Sequence, residues 1–397
     1  MSKSVPKHIL PVIVFAQFTG TSLWFAGNAV VGDLIQSLGL QQAFLGHITM
    51  AVQGGFIAGT LLFAFLNIAD RYSPVLVFLL CSLAGSAANI SVNWTESIFS
   101  VLTARFLTGF FLAGIYPVGM KIASDWHKEG LGKALGYLVG ALVIGTAFPH
   151  LLSYFGAGWP WESVFIGTSI LASAGGLLLF LTVPDGPHHT KSNGFTFKWN
   201  AVATLFKNRD FRSASFGYFG HMWELYTFWA YVPVLLTTYI VLNGIDSFSV
   251  SLWSFIIIAV GGIGCAVGGH ISIKRGSKLI TIISLAISGL CALLLPFTLE
   301  APLWIFLILL LCWGFFVIPD SPQFSAMVAA SSETGYVATG LTIVNSVGFA
   351  ITILSIQWVN SLWSSSENPA VFLLIAAGPL VGLLAIRSYG VKAVADL

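Results

Sequence analysis

Apolar runs of about twenty residues recur along this whole sequence, each bounded by charges or by Pro and Gly clusters. A run of that length crosses the roughly 30 Å hydrocarbon layer as a helix. In order they cover Ile9 to Leu34, Leu45 to Ala69, Val75 to Val92, Ser97 to Ala123, Leu131 to Phe155, Ser163 to Val183, Phe211 to Leu242, Phe248 to Ile273, Leu279 to Phe297, Leu303 to Ala330, Val337 to Trp363 and Ala370 to Ile386, twelve in all. Hydrocarbon offers no partner to a backbone N–H or C=O, so each run has to close its hydrogen bonds within itself, as a helix does. Hydrophobic residues make up 56% of the 397 and charged ones 8%, which excludes a disordered or ordinary soluble chain. The predicted class is an all-α membrane protein with twelve transmembrane helices.

The connections alternate in charge. One set carries every lysine and arginine except Arg105; the other carries Asp33, Glu96, Glu162, Asp246, Glu300 and Glu367 and no base. By the positive-inside rule both termini are expected on the cytoplasmic side of a plasma (inner) membrane, and an even helix count, which puts both on one side, agrees. Lys3 and Lys7 ahead of an apolar stretch resemble a signal peptide, but the stretch continues for a full span without a cleavage site, so it is read as the first membrane helix. Cys81, Cys265, Cys291 and Cys312 lie in apolar runs without zinc or CxxC spacing, so no metal or other cofactor is expected. With a net charge of +2 and no basic cluster among exposed aromatics, nucleic acid is not an expected partner.

The one long hydrophilic connection divides the chain into an N-terminal six-helix bundle (1–183), a linker (184–210) ending in a short amphipathic helix from Trp199 to Phe206, and a C-terminal six-helix bundle (211–397). The halves echo each other. Gly109-Phe110-Phe111, with Pro117 eight residues after the glycine, recurs as Gly314-Phe315-Phe316 with Pro322 at the same interval, and the same offset carries Trp24 onto Trp229. Several matches at one offset predict a duplicated, pseudo-symmetric unit, the architecture of a secondary transporter.

Three charges, Arg105, Glu224 and Asp320, stand at membrane depth, away from the span ends. Arg105 interrupts the fourth run, at a cost of ~3 kcal/mol or more for a cation at membrane depth. Arg105, Gly109, Leu112 and Tyr116 share a helical face that is expected either to line a polar space or to hold a structural arginine on carbonyls of neighbouring helices. On the first span Gln17, Thr21, Trp24 and Asn28 form a polar and aromatic stripe; on the seventh, His221, Glu224, Phe228 and Tyr231 do so, and on the tenth, Trp313, Phe316, Asp320 and Gln323. Glu224 is the leading candidate to load and release a proton, with His221 one turn away to share it. The alternative is a permanent ion pair of Glu224 or Asp320 with Arg105. Asp320 stands among prolines, where its carboxylate is also suited to cap freed amides. Glycine pairs at Gly55/Gly59, Gly136/Gly140 and Gly264/Gly268 permit close helix approach.

At these residues the chain resembles the major facilitator superfamily (MFS) over essentially its whole length. Ala69-Asp70-Arg71-Tyr72-Ser73-Pro74 is similar to that family's Asp-Arg signature loop, although Leu66, Ser73 and Pro74 depart from it; Gly269 to Gly276, with Lys274, is its weaker counterpart in the second half. Arg105-Phe106 followed by Gly109 resembles the family's fourth-helix motif. The resemblance implies that the first, fourth, seventh and tenth helices line a central cavity, which would bring Arg105, Glu224 and Asp320 to it. It also implies that Asp70, Arg71, Lys274 and Gly276 belong to gating loops, and that the second, fifth and eighth helices slide past the other half.

An enzyme is disfavoured: HExxH, GxSxG and P-loop motifs are absent from the sequence. The expected function is alternating-access carriage of a small organic solute by a monomer in the lipid bilayer, coupled to H+. The alternatives are an inorganic anion carrier of the nitrate/nitrite kind, or a non-transporting receptor or scaffold on the same fold. The nitrate branch places arginines on the second and eighth helices, and this chain has none within the apolar runs Leu45 to Ala69 and Phe248 to Ile273.

Overall fold

A computed structural model describes residues 5–39, 43–127, 131–189, 199–333, 336–366 and 368–390. Lys3, Lys128, Lys191, Lys198, Glu367 and Lys392, and residues 190–198 of the central connection, lie outside the described residues. Among the described residues there is no strand, and eleven helices are long and apolar enough to span a membrane. The shorter apolar helix Ile9–Thr21 completes the twelve. The chain forms two compact units, Met1–Thr196 and Phe197–Leu397. The connection before the seventh span carries a short helix, Trp199–Lys207.

The spans are less continuous than the apolar runs predict, and the breaks have local causes. The first run is helical over Ile9–Thr21, turns, and resumes as Ala26–Ala29 and Val31–Leu38. Just before the break, Thr19, Thr21 and Ser22 donate their hydroxyls to the carbonyls of Ala16 (2.9 Å), Gln17 (2.8 Å) and Thr19 (2.6 Å), a back-bonding pattern that bends helices. Trp24 therefore lies in the turn and Asn28 beyond it, and the unbroken stripe from Gln17 to Asn28 does not exist. The fourth span, Ile98–Trp126, breaks after Leu112 and restarts at Tyr116. Pro117, at the start of the second piece, has no N–H to give and crowds the carbonyl four residues back. The tenth span, Leu303–Ser331, repeats this, breaking after Phe316 and restarting at Asp320 beside Pro319 and Pro322.

The duplication is visible in packing as well as in sequence. In the first unit a side chain at Gly109 would strike the carbonyl oxygen of Val52, and one at Gly59 would strike that of Phe110. In the second unit Gly314 meets Ile257 and Gly264 meets Phe315 in the same way. Each of these four residues lies 205 positions after its counterpart. The two units thus use one solution for seating the second span on the fourth and the eighth on the tenth. Gly55 and Gly59, and likewise Gly264 and Gly268, are filled by these contacts within their own units, whereas Gly136 has open space where a side chain would stand.

Candidate functional site

In the second unit the seventh span, Arg209–Leu242, packs against the eleventh and twelfth and against the second piece of the tenth. Gly220 touches the backbone of Gly378 and Gly382 on the twelfth span, and Gly348 on the eleventh leaves room for Tyr218 and Met222. Midway along that helix Glu224 is fully buried. The Trp313 indole donates to its Oε1 at 2.7 Å, and the Ser288 hydroxyl donates to Oε2 at 2.9 Å. Trp313 is held flat against Phe228, with ring centroids 4.3 Å apart and planes 22° from parallel. Among the described residues no lysine, arginine or histidine comes within ion-pair distance of this carboxylate.

One turn earlier His221, also fully buried, brings Nδ1 to 3.0 Å from Oδ1 of Asp320. The angle is not that of a hydrogen bond, so both atoms keep unused bonding capacity. Asp320 opens the second piece of the tenth span but caps no amide, so the capping role expected of it is not the one observed. The nearest acid to His221 is Asp320 rather than Glu224. Tyr218 and Phe324 flank the imidazole at 5.8 and 6.4 Å. The tenth span thus carries a partner for each of the two ionisable residues midway along the seventh, Trp313 for Glu224 and Asp320 for His221. Further along, the Tyr231 hydroxyl donates to Asn360 at 3.1 Å, while Gln323 is buried next to the helix start at Asp320.

In the first unit Arg105 is the residue around which polar groups gather. Its Nη2 donates to the carbonyls of Leu23 (2.9 Å) and Trp24 (2.6 Å), both in the turn that breaks the first span, and its Nη1 to Asn89 Oδ1 (2.5 Å). Asn89 in turn donates to Phe165, Thr168 and Ser169 on the sixth span. The guanidinium also faces the Phe165 ring at 5.9 Å. Of the readings available for Arg105, this is the geometry of an arginine bonded to carbonyls of a neighbouring helix. Gly109 on the same face is closed by Val52 of the second span, so at that position the expected stripe is packed instead of lining an open space. Tyr116 begins the helix after the break and is half-buried.

Asn28 donates to Thr49 at 2.7 Å and Trp24 lies 4.8 Å from the Phe56 ring, so both are engaged inside the bundle. Thr21 is committed to the backbone of its own helix. Gln17 differs: its side-chain amide is fully buried, yet neither its nitrogen nor its oxygen has a partner among the described residues. The same holds for Gln53 on the second span, Phe44–Leu66.

At the loop after the second span Lys121 bonds Asp70 at 2.9 Å and approaches Asp125 at 3.5 Å, and His189 lies 3.3 Å from Asp125. Arg71 and Lys274 are exposed, and Gly276 ends the eighth span with φ of 82°. Sequence reasoning missed Asn89, Ser288, Gln53 and Lys121. The signal for the first three was a polar side chain inside an apolar run, the kind that bonds across helices; for Lys121 it was Asp125 one turn ahead.

Known proteins agree with this architecture. The sequence pattern of the Major Facilitator Superfamily matches residues 13–356. The chain is 24% identical over 214 residues to the nitrate/nitrite transporter NrtP of Picosynechococcus sp., covering 45% of this chain and 39% of that protein. It is 26% identical over 161 residues to the 4-hydroxybenzoate transporter PcaK of Acinetobacter baylyi, covering 39% and 33%. The matches thus span well under half the length of these curated relatives. The fold is similar to the crystal structure of the human organic anion transporter MFSD10, with TM-score 0.74 and 14% identity over 96% of this chain and 99% of the other. It is also similar to a bacterial homolog of the human lysosomal transporter Spinster, inward-facing and unoccupied, with TM-score 0.68 and 16% identity over 98% and 95%. The chain belongs to the Major Facilitator Superfamily, a family of transporters and not of enzymes.

Proposed function

We propose that this protein is a secondary active transporter that moves a small organic solute by alternating access and couples that movement to protons. The observation that carries the reading is Glu224: a fully buried acid with two neutral donors and, among the described residues, no cation at ion-pair distance. Burying an unpaired charge is costly, and a proton is the simplest charge to neutralise it. His221 and Asp320 form a second centre three residues along the same helix face, within reach of a proton relay. Gln17 and Gln53 offer four unused hydrogen-bonding atoms in buried positions, which suits them to a polar solute or to water.

In this reading the moving bodies are the bundles 1–183 and 211–397, joined by 184–210, with Asp70, Arg71 and Lys121 in a gating loop of the first and Lys274 and Gly276 in a gating loop of the second. The chain acts as a monomer in a plasma membrane with both termini in the cytoplasm, an orientation supported by the segregation of basic loops. Arg105 serves to brace the bent first helix. Substrates worth testing first are aromatic carboxylates, because relatives include 4-hydroxybenzoate transporters, and then nitrate and nitrite, because another relative carries those ions.

The test is uptake into proteoliposomes under an imposed pH gradient. Glu224→Gln keeps the shape and an acceptor for Trp313, and its amide donates to Ser288, so folding is expected to survive at a cost of about 1 kcal/mol. Gradient-driven uptake is expected to fall at least about tenfold while substrate exchange without a gradient persists. Uptake that stays fully pH-driven in Glu224→Gln removes Glu224 from the coupling step.

A further inference from the structure

The outer face of the second unit carries two adjoining hollows. One, of about 450 Å³, is lined by Arg209, Arg212 and Ser213 at the start of the seventh span and by Ala385 and Ser388 at the end of the twelfth. The other, of about 410 Å³, has apolar walls from the seventh, eleventh and twelfth spans, among them Trp223, Leu354 and Trp358. Phe216 and Val381 belong to both, so the hollows form one continuous groove. Arg209, Arg212, Phe216, Gly220 and Trp223 follow one another at three- and four-residue steps along one helix face. At 1.5 Å per residue the groove runs about 21 Å from guanidinium to indole.

We propose that this groove holds one anionic glycerophospholipid of the leaflet on the side where the seventh span begins and the twelfth ends, its phosphate on Arg209 and Arg212 and one acyl chain laid along Phe216, Val381 and Trp223. Charge complementarity selects the headgroup. Both arginines are exposed, and among the described residues no carboxylate lies within ion-pair distance of either. The adjacent Asp210 is turned away, with Oδ1 accepting from the Gly390 amide at 2.7 Å. Arg212 uses only Nη1 on the protein, donating to the carbonyls of Phe206 and Lys207, which fixes its fork in place and leaves its other nitrogens to an anion. Ser213 and Ser388 are already bonded to Ala385, so the anion is held by the guanidiniums. Deeper in, the Trp223 indole is satisfied by the Leu374 carbonyl at 2.9 Å, leaving only apolar surface toward the groove. A soluble phosphate has no use for such a wall, and a second copy of the chain would set a helix against two unpaired cations.

The measurement is native mass spectrometry of the full chain released from nanodiscs of equal phosphatidylglycerol and phosphatidylcholine. Wild type is expected to retain phosphatidylglycerol in preference. Arg209→Gln is expected to lower that preference about fivefold, the effect of one basic residue near an anionic lipid surface. Val381→Trp, which fills the shared neck with a residue that is half exposed, is expected to lower retention of both lipids, with Leu354→Trp as a second filler should the first unfold. Glycerol 1-phosphate at equal concentration is expected not to displace the lipid. An unchanged preference in Arg209→Gln, unchanged retention in a folded filler variant, displacement by glycerol 1-phosphate, or a dimer that the filler variants abolish each overturns the proposal.

Discussion

Replacing Arg105 by leucine separates a bracing arginine from one that grips substrate. The substitution removes three charge-assisted hydrogen bonds and strands the carbonyls of Leu23 and Trp24 and the side-chain oxygen of Asn89. At about 2 kcal/mol for each stranded acceptor the gross loss is about 6 kcal/mol, of which the relief of an expensive buried cation returns roughly half. The net expectation is about 3 kcal/mol, which at about 2–4 °C per kcal/mol for a unit of this size lowers the unfolding midpoint by about 6–12 °C. Arg105→Lys, whose single ammonium lacks the fork that reaches both helices, should fall between wild type and leucine. Asn89→Ala should cost a similar amount. Because Arg105 and Asn89 act through each other, the double variant should be more stable than the sum of the two losses predicts, by about 1 kcal/mol or more. Tryptophan fluorescence followed during thermal unfolding in detergent, alongside substrate affinity, provides both readouts. A leucine variant whose midpoint stays within about 2 °C of wild type while substrate binding disappears would refute the bracing role.

The glycines at the helix crossings give a matched set. Gly109→Ala and Gly314→Ala each push a methyl into a carbonyl of the neighbouring span, Val52 and Ile257 respectively, and each should destabilise by about 2 kcal/mol or more, whereas Gly136→Ala, with nothing nearby, should stabilise slightly through helix propensity, as thermal unfolding will report. Beyond the last span, burial first and the Asp210 carboxylate second push the Tyr389 phenol up to about 12 from its ordinary 10.0. The unfolded chain therefore ionises first as pH rises, so the stability this residue contributes is complete below pH 10 and lost toward pH 12, and Tyr389→Phe should remove that part of the alkaline decline.

Hydrophobic length alone determined the membrane class and the twelve helices, because a bilayer forces any apolar run of sufficient span to pair its backbone internally. The repeat at Gly109 and Gly314 was legible for a similar reason: a backbone crossing too close for a side chain demands glycine at that position, and a duplicated crossing demands it twice. Polar partners were not legible. Arg105 could be singled out from its charge, but whether it faced a solute or a carbonyl depended on where the first helix broke, and that followed from Thr19, Thr21 and Ser22 turning their hydroxyls back on their own helix. In the same way sequence spacing paired His221 with Glu224 along one helix, while the fold gave His221 to Asp320 and Glu224 to Trp313 and Ser288 on other helices. Periodicity records which residues share a face; only packing decides what that face meets.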